Sequence, residues 1–262
     1  MMDFQSLFSL EGKTALVTGG SRGIGAMIAE GLVSAGCRVY ISSRTAADCE
    51  QTIERLKNYP GVCLALPADI SSVDGIEALI AALSKREDSV DILVNNAGVA
   101  WGEPFEQFSE KGWDRVMNLN AKSVFFLTQK MMPLLKRPAT AEDPSRVINI
   151  TSVLGSRTDP MMAYSYCASK AALAQMTRNL AYDLARDNIT VNGISPGFFP
   201  SKMTAHIMDD EEANREMLGK ARFPRYGKAE EIAGLTIYLC SRIGAYVTGD
   251  IIPIDGGLLL SC

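Results

Sequence analysis

The chain has 262 residues, a formal net charge of −4 and 47% hydrophobic residues. An acidic chain without basic runs is a poor match for nucleic acid or for an anionic membrane surface, so we expect it to bind neither. No apolar run reaches the roughly 20 residues that span a bilayer, so we expect no membrane-spanning segment. Its six cysteines form no Cys-x-x-Cys pair, it has one histidine, and no secretory signal pattern opens it, so we predict reduced thiols, no metal site and a cytoplasmic protein.

Short apolar segments alternate with helical patterns along the whole chain. The predicted strands cover residues 14–18, 38–42, 62–67, 91–95, 146–151, 190–194 and 251–254. The clearest helical patterns cover residues 23–35, 73–86, 113–135, 166–186 and 230–241. The strands are almost continuously apolar, which is typical of parallel strands covered on both faces. The alternation predicts an α/β fold of the Rossmann type, with a doubly wound, seven-stranded parallel sheet and helices on both faces.

We found no repeat or linker, so we predict one domain over residues 1–262. The most irregular segment, residues 196–219, follows the sixth predicted strand and mixes Pro, Lys, Met and acidic residues. It should lie at the carboxyl edge of the sheet, where ligands bind in this architecture. We therefore predict a substrate lid there.

A glycine-rich loop separates the first predicted strand from the first helical pattern. Glycine permits a tight turn and the close approach of a phosphate, and the start of a helix offers free N–H groups. The spacing Thr-Gly-x-x-x-Gly-x-Gly is longer than the usual dinucleotide motif, and glycines also form plain turns. The position of the loop favours a dinucleotide site, with contacts predicted from Gly19, Ser21, Arg22, Gly23, Ile24 and Gly25.

The end of the second predicted strand indicates which dinucleotide binds. NAD-binding proteins carry an acidic residue about 20 residues after the loop, where it accepts a hydrogen bond from the ribose 2′-hydroxyl. Here the strand ends without a carboxylate, and Arg44 can pair with a 2′-phosphate instead. Arg22 is a second cation for the same region, although both arginines could be ordinary surface residues. These features predict NADP(H) as the cofactor.

Polar residues close the third and fourth predicted strands. Asp69 and Ile70 follow the third strand, and Asn96, Ala97 and Gly98 follow the fourth. Their position at the carboxyl edge would place them beside the adenine and its ribose. Asp69 could equally cap a helix, and asparagines before a glycine could simply form a turn.

Tyr166 and Lys170 stand four residues apart at the start of a long helical pattern, which places them on one helix face. A nearby ammonium group lowers the pKa of a phenol from its usual value of about 10, so the pair can donate a proton to a carbonyl. Ser152 ends the fifth predicted strand, and its hydroxyl can polarise the same oxygen. Thr151 and Tyr164 are the rival residues of the same chemical types.

Together these motifs resemble those of the short-chain dehydrogenase/reductase family over residues 13–257. No single motif is specific, but each occurs once, in the family's order and at nearly its spacing. The residues that carry the resemblance are 18–25, 95–98, Asn120, Ser152, Tyr166 with Lys170, 196–197 and 255–257.

The resemblance implies a role for each residue of the catalytic set. Tyr166 would be the general acid, and Ser152 would polarise the carbonyl. Lys170 would hold the nicotinamide ribose and lower the tyrosine pKa. Asn120 would anchor a water in the proton relay; from the sequence alone it could equally hold a bend in its helix.

The resemblance also places further cofactor contacts at the nicotinamide. Tyr166 and Lys170 would touch this end of the cofactor. Pro196, Gly197 and the segment to Thr204, which includes Ser201, would flank the nicotinamide and the substrate. Ser201 stands where many relatives carry threonine, and it keeps the hydroxyl. The spacing between Ser152 and Tyr166 is one residue longer than in many relatives, which could reshape the substrate pocket.

Among the family's branches, the chain most resembles 3-oxoacyl-[acyl-carrier-protein] reductases, through residues 17–25, 225–227 and the short end after 257. Residues 199–204 and 252–257 are similar to the rhamnolipid-associated ketoacyl reductases. The likeness implies NADPH-dependent reduction of a 3-oxoacyl thioester, acyl carrier protein as a candidate partner, and a homotetramer or homodimer. Lys136 and Arg137 could meet an acidic carrier protein, or could form a solvated helix end.

Other functions stay open at this stage. A different NADP(H)-dependent alcohol or ketone dehydrogenase, or a non-catalytic NADPH sensor, would use the same motifs. The run Gly-Ile-Ser-Pro-Gly at 193–197 matches a serine hydrolase elbow with His206 as a base, but Pro196 lacks the N–H that an oxyanion hole needs. A methyltransferase could share the sheet but would not need the tyrosine and lysine pair.

Overall fold

The computed structural model describes residues 4–158, 162–201 and 204–261. Three parts of the sequence predictions fall outside these ranges: residues 1–3 and 262 of the predicted domain, residues 202–203 of the predicted lid, and residues 159–161 between Ser152 and Tyr166. Within the described ranges, no helix combines the length and the apolar character needed to cross a membrane.

Seven strands form one parallel sheet in the order β3-β2-β1-β4-β5-β6-β7. They are β1 (Thr14–Thr18), β2 (Arg38–Ser42), β3 (Val62–Ala65), β4 (Ile92–Asn95), β5 (Ser145–Ile150), β6 (Ile189–Pro196) and β7 (Ile251–Ile254). The predicted seven-stranded sheet is confirmed, with the ends of β3 to β6 shifted by one or two residues. The strand order reverses between β1 and β4, which is where this architecture opens a crevice for ligands.

Helices cover both faces of the sheet. Along β1 the side chains alternate: Ala15 and Val17 enter one core cluster, while Leu16 enters a second one on the opposite face. This two-sided burial explains the continuous apolar runs in the strands. The helices are α1 (Phe4–Phe8), α2 (Gly23–Ser34), α3 (Ala46–Leu56), α4 (Val73–Ser84), α5 (Glu110–Met117), α6 (Ser123–Leu135), α7 (Tyr164–Leu184), α8 (Ala205–Met208), α9 (Glu211–Gly219) and α10 (Ala229–Cys240).

The helix predicted over residues 113–135 is interrupted, so that prediction was wrong in its middle. A π-helical turn, Asn118–Lys122, separates α5 from α6. Within it, the Asn120 amide donates to the Val99 carbonyl at 2.9 Å and accepts from the Val99 N–H at 2.9 Å. The wider π-helical turn accompanies this tertiary contact. The hydrophobic periodicity of the sequence gives no sign of the contact.

The segment 196–219 is less irregular than predicted, because α8 and α9 occupy much of its described part. Asp210 precedes α9, and its carboxylate accepts hydrogen bonds from the backbone N–H groups of Glu212 and Ala213. An aspartate followed by an acidic first turn is a helix-start signal that sequence reasoning could have used. Helix α3 was also missed.

A buried arginine joins elements at the amino edge of the sheet, opposite the ligand crevice. The Arg146 side chain is only 1% exposed. Its guanidinium donates to the carbonyls of Leu239 and Ser241 at 3.2 and 3.0 Å and to the Asp143 carboxylate at 3.1 Å. These hydrogen bonds connect the start of β5 to the end of α10.

We predict that Arg146→Ala lowers the free energy of unfolding by about 3 kcal/mol, because the bonded carbonyls and Asp143 lose a buried charged partner. Urea unfolding followed by circular dichroism at fixed protein concentration measures this change. Arg137→Ala is the matched control, since the Arg137 side chain is 62% exposed and pairs with Asp88 at the surface; it should change stability by less than about 0.5 kcal/mol. Similar losses in both variants would contradict the prediction.

Candidate active site

A cavity of about 620 Å³ opens at the carboxyl edge of the sheet. Every residue predicted to contact the cofactor lines it, and so does Ser152. The ends of parallel strands meet at one edge, so motifs far apart in the sequence converge there. Asn120 is the one predicted site residue that does not line the cavity.

The glycine loop is held against the end of β4 by side chains from both strands. The Thr18 hydroxyl accepts from the N–H groups of Asn96 and Ala97 at 3.0 and 3.1 Å. In return, the Asn96 amide donates to the carbonyls of Thr18 and Gly19 at 2.8 and 3.2 Å. Gly19 has a φ of +64°, and a Cβ at Gly25 would lie 2.3 Å from both the Asn96 amide and the Gly19 carbonyl. Both positions therefore require glycine.

The residues of this loop fit the diphosphate of a dinucleotide. Helix α2 begins at Gly23, and the Arg22 side chain at its cap makes no hydrogen bond to the first turn. The helix start, with its N–H groups and partial positive charge, is thus available to an anion at the cavity wall. The cavity also has room for more than a diphosphate.

Charged residues surround the end of the cavity next to β2. Arg22 and Arg44 are both exposed and line it, as predicted. Hydrogen bonds from Ser71, and more weakly the charge of Arg44, lower the pKa of Asp69. Asp48, which the sequence did not single out, also lines the cavity, and its carboxylate lies 3.9 Å from the Arg22 guanidinium.

Ser152, Tyr166 and Lys170 come together at the opposite end of the cavity. Ser152 lies two residues after the end of β5, and Tyr166 and Lys170 lie one turn apart near the start of α7. The Lys170 ammonium donates to the Ile150 carbonyl at 2.7 Å and lies 5.7 Å from the centre of the Tyr166 ring. Tyr164, the rival tyrosine, does not line the cavity; it packs against the rings of Phe105 and Phe108 instead.

Burial dominates the pKa values of this group. It raises the pKa of Tyr166, while a hydrogen bond with the Ser152 side chain acts in the opposite direction. Burial also lowers the pKa of Lys170 to about 8. The predicted lowering of the tyrosine pKa by Lys170 stays a prediction. With its pKa raised by burial, the phenol is protonated at neutral pH, as a proton donor must be.

Asn120 connects the loop after β4 to α7. Besides its two bonds to Val99, its amide donates to the Ser169 hydroxyl at 3.1 Å. Ser169 precedes Lys170, so the buried Asn120 supports the helix that carries the cavity residues. Its predicted role as the anchor of a water stays a prediction.

The segment after β6, which the resemblance placed beside the nicotinamide and the substrate, lines the cavity through Phe199, Ser201 and Thr204. Arg115 from α5 also lines it and was not predicted from the sequence. The Thr204 hydroxyl accepts from the Ser201 N–H at 3.0 Å and donates to the Phe199 carbonyl at 3.1 Å, which holds Ser201 at the wall. The threonine three residues after Ser201 was a usable signal for such a turn.

The structure does not support a serine hydrolase site. Ser195 is 3% exposed and lies inside β6, which continues through Pro196 instead of turning sharply into a helix. The cavity lining does not include Ser195. The His206 side chain lies outside the described part of the structure. Among the described residues, no group of three histidine, cysteine or acidic side chains could hold a metal ion.

Comparison with known proteins gives full-length matches. The family described as Enoyl-(Acyl carrier protein) reductase matches residues 19–259. The rhamnolipids biosynthesis 3-oxoacyl-[acyl-carrier-protein] reductase of Pseudomonas aeruginosa is 51% identical, over 97% of this chain and 98% of the relative. The 2-dehydro-3-deoxy-D-gluconate 5-dehydrogenase of Escherichia coli K12 is 39% identical, also over 97% and 98%.

Solved structures match equally well. The Pseudomonas aeruginosa RhlG/NADP active-site complex superposes with a TM-score of 0.94 at 50% sequence identity. The match covers 97% of this chain and 98% of that one. It extends the sequence likeness to the whole architecture described above.

Proposed function

Because this chain belongs to the short-chain dehydrogenase/reductase family, we propose that it is an NADPH-dependent reductase that converts 3-oxoacyl thioesters into 3-hydroxyacyl products. The observation that carries the chemistry is the convergence of Ser152, Tyr166 and Lys170 in the cavity that also holds the glycine loop. The substrate class rests on the 51% identical relative, which is a 3-oxoacyl-[acyl-carrier-protein] reductase.

NADPH, when bound, supplies the hydride for the carbonyl carbon. Tyr166 donates its proton to the carbonyl oxygen, and its raised pKa keeps that proton in place at neutral pH. The Ser152 hydroxyl donates a hydrogen bond to the same oxygen and stabilises the charge that develops there. Lys170 holds the nicotinamide ribose. Gly98 lies beside it: a Cβ added at Gly98 would be 3.7 Å from the Lys170 ammonium.

The remaining cofactor contacts follow the order of the cavity wall. Arg22 and Arg44 bind the 2′-phosphate, and the loop from Gly19 to the start of α2 binds the diphosphate. The adenine and its ribose would lie against Asp69, Ile70, Asn96, Ala97 and Gly98. The nicotinamide would lie against Pro196, Gly197 and Ser201. The RhlG/NADP complex and its 50% identity support NADP(H) over NAD(H).

We further propose a single catalytic domain in which residues 196–219 cover the substrate. Support comes from the position of this segment: it leaves β6 at the carboxyl edge, and Phe199, Ser201 and Thr204 line the cavity. Helices α8 and α9 would form the body of such a lid.

Acyl carrier protein is the proposed carrier of the substrate, by likeness to the relative. The carrier must approach the carboxyl edge, where the cavity opens. Lys136 and Arg137 do not fit this role, because α6 ends at Leu135 on the amino edge of the sheet. They also pair with carboxylates of the same chain, at 3.0 Å to Asp187 and 3.7 Å to Asp88.

A homotetramer or homodimer in the cytoplasm is also part of the proposal. Val124 and Leu173 pack into the core, whereas Phe125 on α6 is 39% exposed and available to a second copy. Cys37, Cys49, Cys63 and Cys240 are free thiols, which suits a reducing compartment. Light scattering after gel filtration should give a multiple of the 28.3 kDa chain; a monomer at micromolar concentration would contradict the assembly.

The direct test is the oxidation of NADPH at 340 nm by the purified protein. We expect turnover of acetoacetyl and longer 3-oxoacyl thioesters, with NADPH preferred over NADH. Sugar-acid ketones serve as the comparison, because a gluconate-type dehydrogenase is 39% identical to this chain. Turnover of those ketones alone would keep the chemistry and change the substrate class. NADPH binding without turnover of any carbonyl would favour a sensor.

The Tyr166→Phe variant tests the proposed proton donor. It should bind NADPH like the wild type and lose roughly 10²- to 10⁴-fold in kcat, the usual contribution of a positioned acid. Tyr164→Phe is the matched control, because Tyr164 lies two residues away on α7 and outside the cavity lining. Near-normal kcat for Tyr166→Phe, or equal losses in both variants, would refute the assignment.

A further inference from the structure

Negative charge already occupies the end of the cavity where a 2′-phosphate would bind. Asp48 lies 3.9 Å from the Arg22 guanidinium, and the charge of Arg44 contributes to the lowered pKa of Asp69. All four side chains line the cavity. Each arginine of the proposed phosphate site thus has a carboxylate nearby in the protein itself.

The position of Asp48 is built into the fold. It lies in the first turn of α3, whose Thr52 hydroxyl donates to the Ser21 carbonyl at 2.9 Å and to the Asp48 carbonyl at 3.2 Å. Thr52 is 5% exposed, so this bond is protected from water. It ties α3 to the glycine loop immediately before Arg22, which keeps the carboxylate and the guanidinium on neighbouring elements.

A carboxylate in this position affects the two cofactors differently. The 2′-phosphate of NADPH carries up to about two negative charges at neutral pH, and it must take the Arg22 guanidinium from Asp48. It is then also repelled by the freed carboxylate. The 2′-hydroxyl of NADH is neutral, so its binding neither requires Arg22 nor meets this repulsion.

We propose that Asp48 is a selectivity-determining residue that competes with the 2′-phosphate for Arg22 and thereby weakens the preference for NADPH over NADH. The inference rests on the proposed use of NADPH. It adds a residue on α3, in the element that follows the end of β2, where the type of dinucleotide is usually decided.

Calorimetric titration with 2′,5′-ADP and 5′-AMP tests this without catalysis, because the two probes differ only in the 2′-phosphate. Asp48→Asn should bind 2′,5′-ADP about three- to fivefold more tightly than the wild type, the upper range for a partly exposed ion pair. Binding of 5′-AMP should stay unchanged. Asp48→Ser should give the same result, and melting temperatures would confirm that both variants fold.

Glu50→Gln is the matched control for net charge. Glu50 is exposed, lies two residues further along α3, and does not line the cavity. Its variant should leave both affinities unchanged. A gain in Glu50→Gln equal to that in Asp48→Asn would reduce the effect to general charge and overturn the proposal, as would unchanged or weaker binding of 2′,5′-ADP by Asp48→Asn.

A double-mutant cycle tests the route through Arg22. In an Arg22→Gln background, Asp48→Asn should no longer improve 2′,5′-ADP binding; a full gain there would overturn competition for this arginine. The wild type supplies the separate test of the premise. If it binds 2′,5′-ADP no more tightly than 5′-AMP, NADPH selectivity itself fails. If it prefers 2′,5′-ADP but Asp48→Asn changes nothing, only the role of Asp48 fails.

Discussion

The site depends on the hydrogen bonds that fasten the end of β1 to the end of β4. At this point the chain leaves the two strands in opposite directions along the sheet, and a crevice opens between them. The Thr18 hydroxyl and the Asn96 amide cross-link the two strand ends. They hold the glycine loop so close that Gly25 has no space for a Cβ. These contacts restrain the backbone of the loop, and the start of α2 lines the cavity.

A second set of bonds positions the proposed catalytic residues from helix α7. Lys170 reaches the Ile150 carbonyl at the end of β5, and Ser152 follows two residues later on the same chain segment. Asn120 supports α7 from the other side through Ser169. Burial then acts on both titratable groups in one direction: it favours the neutral form, which raises the pKa of Tyr166 and lowers that of Lys170 to about 8. The raised pKa leaves Tyr166 protonated at neutral pH, as an ordinary phenol is.

The sequence predicted the sheet and most of the cavity wall for a common reason. Short, almost continuously apolar runs identify the strands, and motifs at the carboxyl ends of parallel strands must converge at one edge. A bend at Asn120 was one of the alternatives that the sequence offered, but the π-helical form of the turn at Asn118–Lys122 could not be predicted, because the contact with Val99 that accompanies it lies across the fold. Helix α3 could have been found, since its buried residues are spaced by three and four: Cys49, Thr52 and Leu56. Missing α3 also meant missing Asp48.

The two ends of the proposed cofactor site use different physics, and this difference separates affinity from selectivity. At the diphosphate, the protein offers backbone N–H groups and a helix start, which act equally on NADH and NADPH. Charged side chains enter only at the 2′ position, where Arg22 and Arg44 stand beside Asp48 and Asp69. The two arginines in the sequence therefore favour NADPH over NADH. Taken alone they overstate that preference, because the two carboxylates offset part of the positive charge. On our proposal, a single carboxylate on α3 adjusts the strength of the NADPH preference without disturbing Tyr166 or Ser152 at the other end of the cavity.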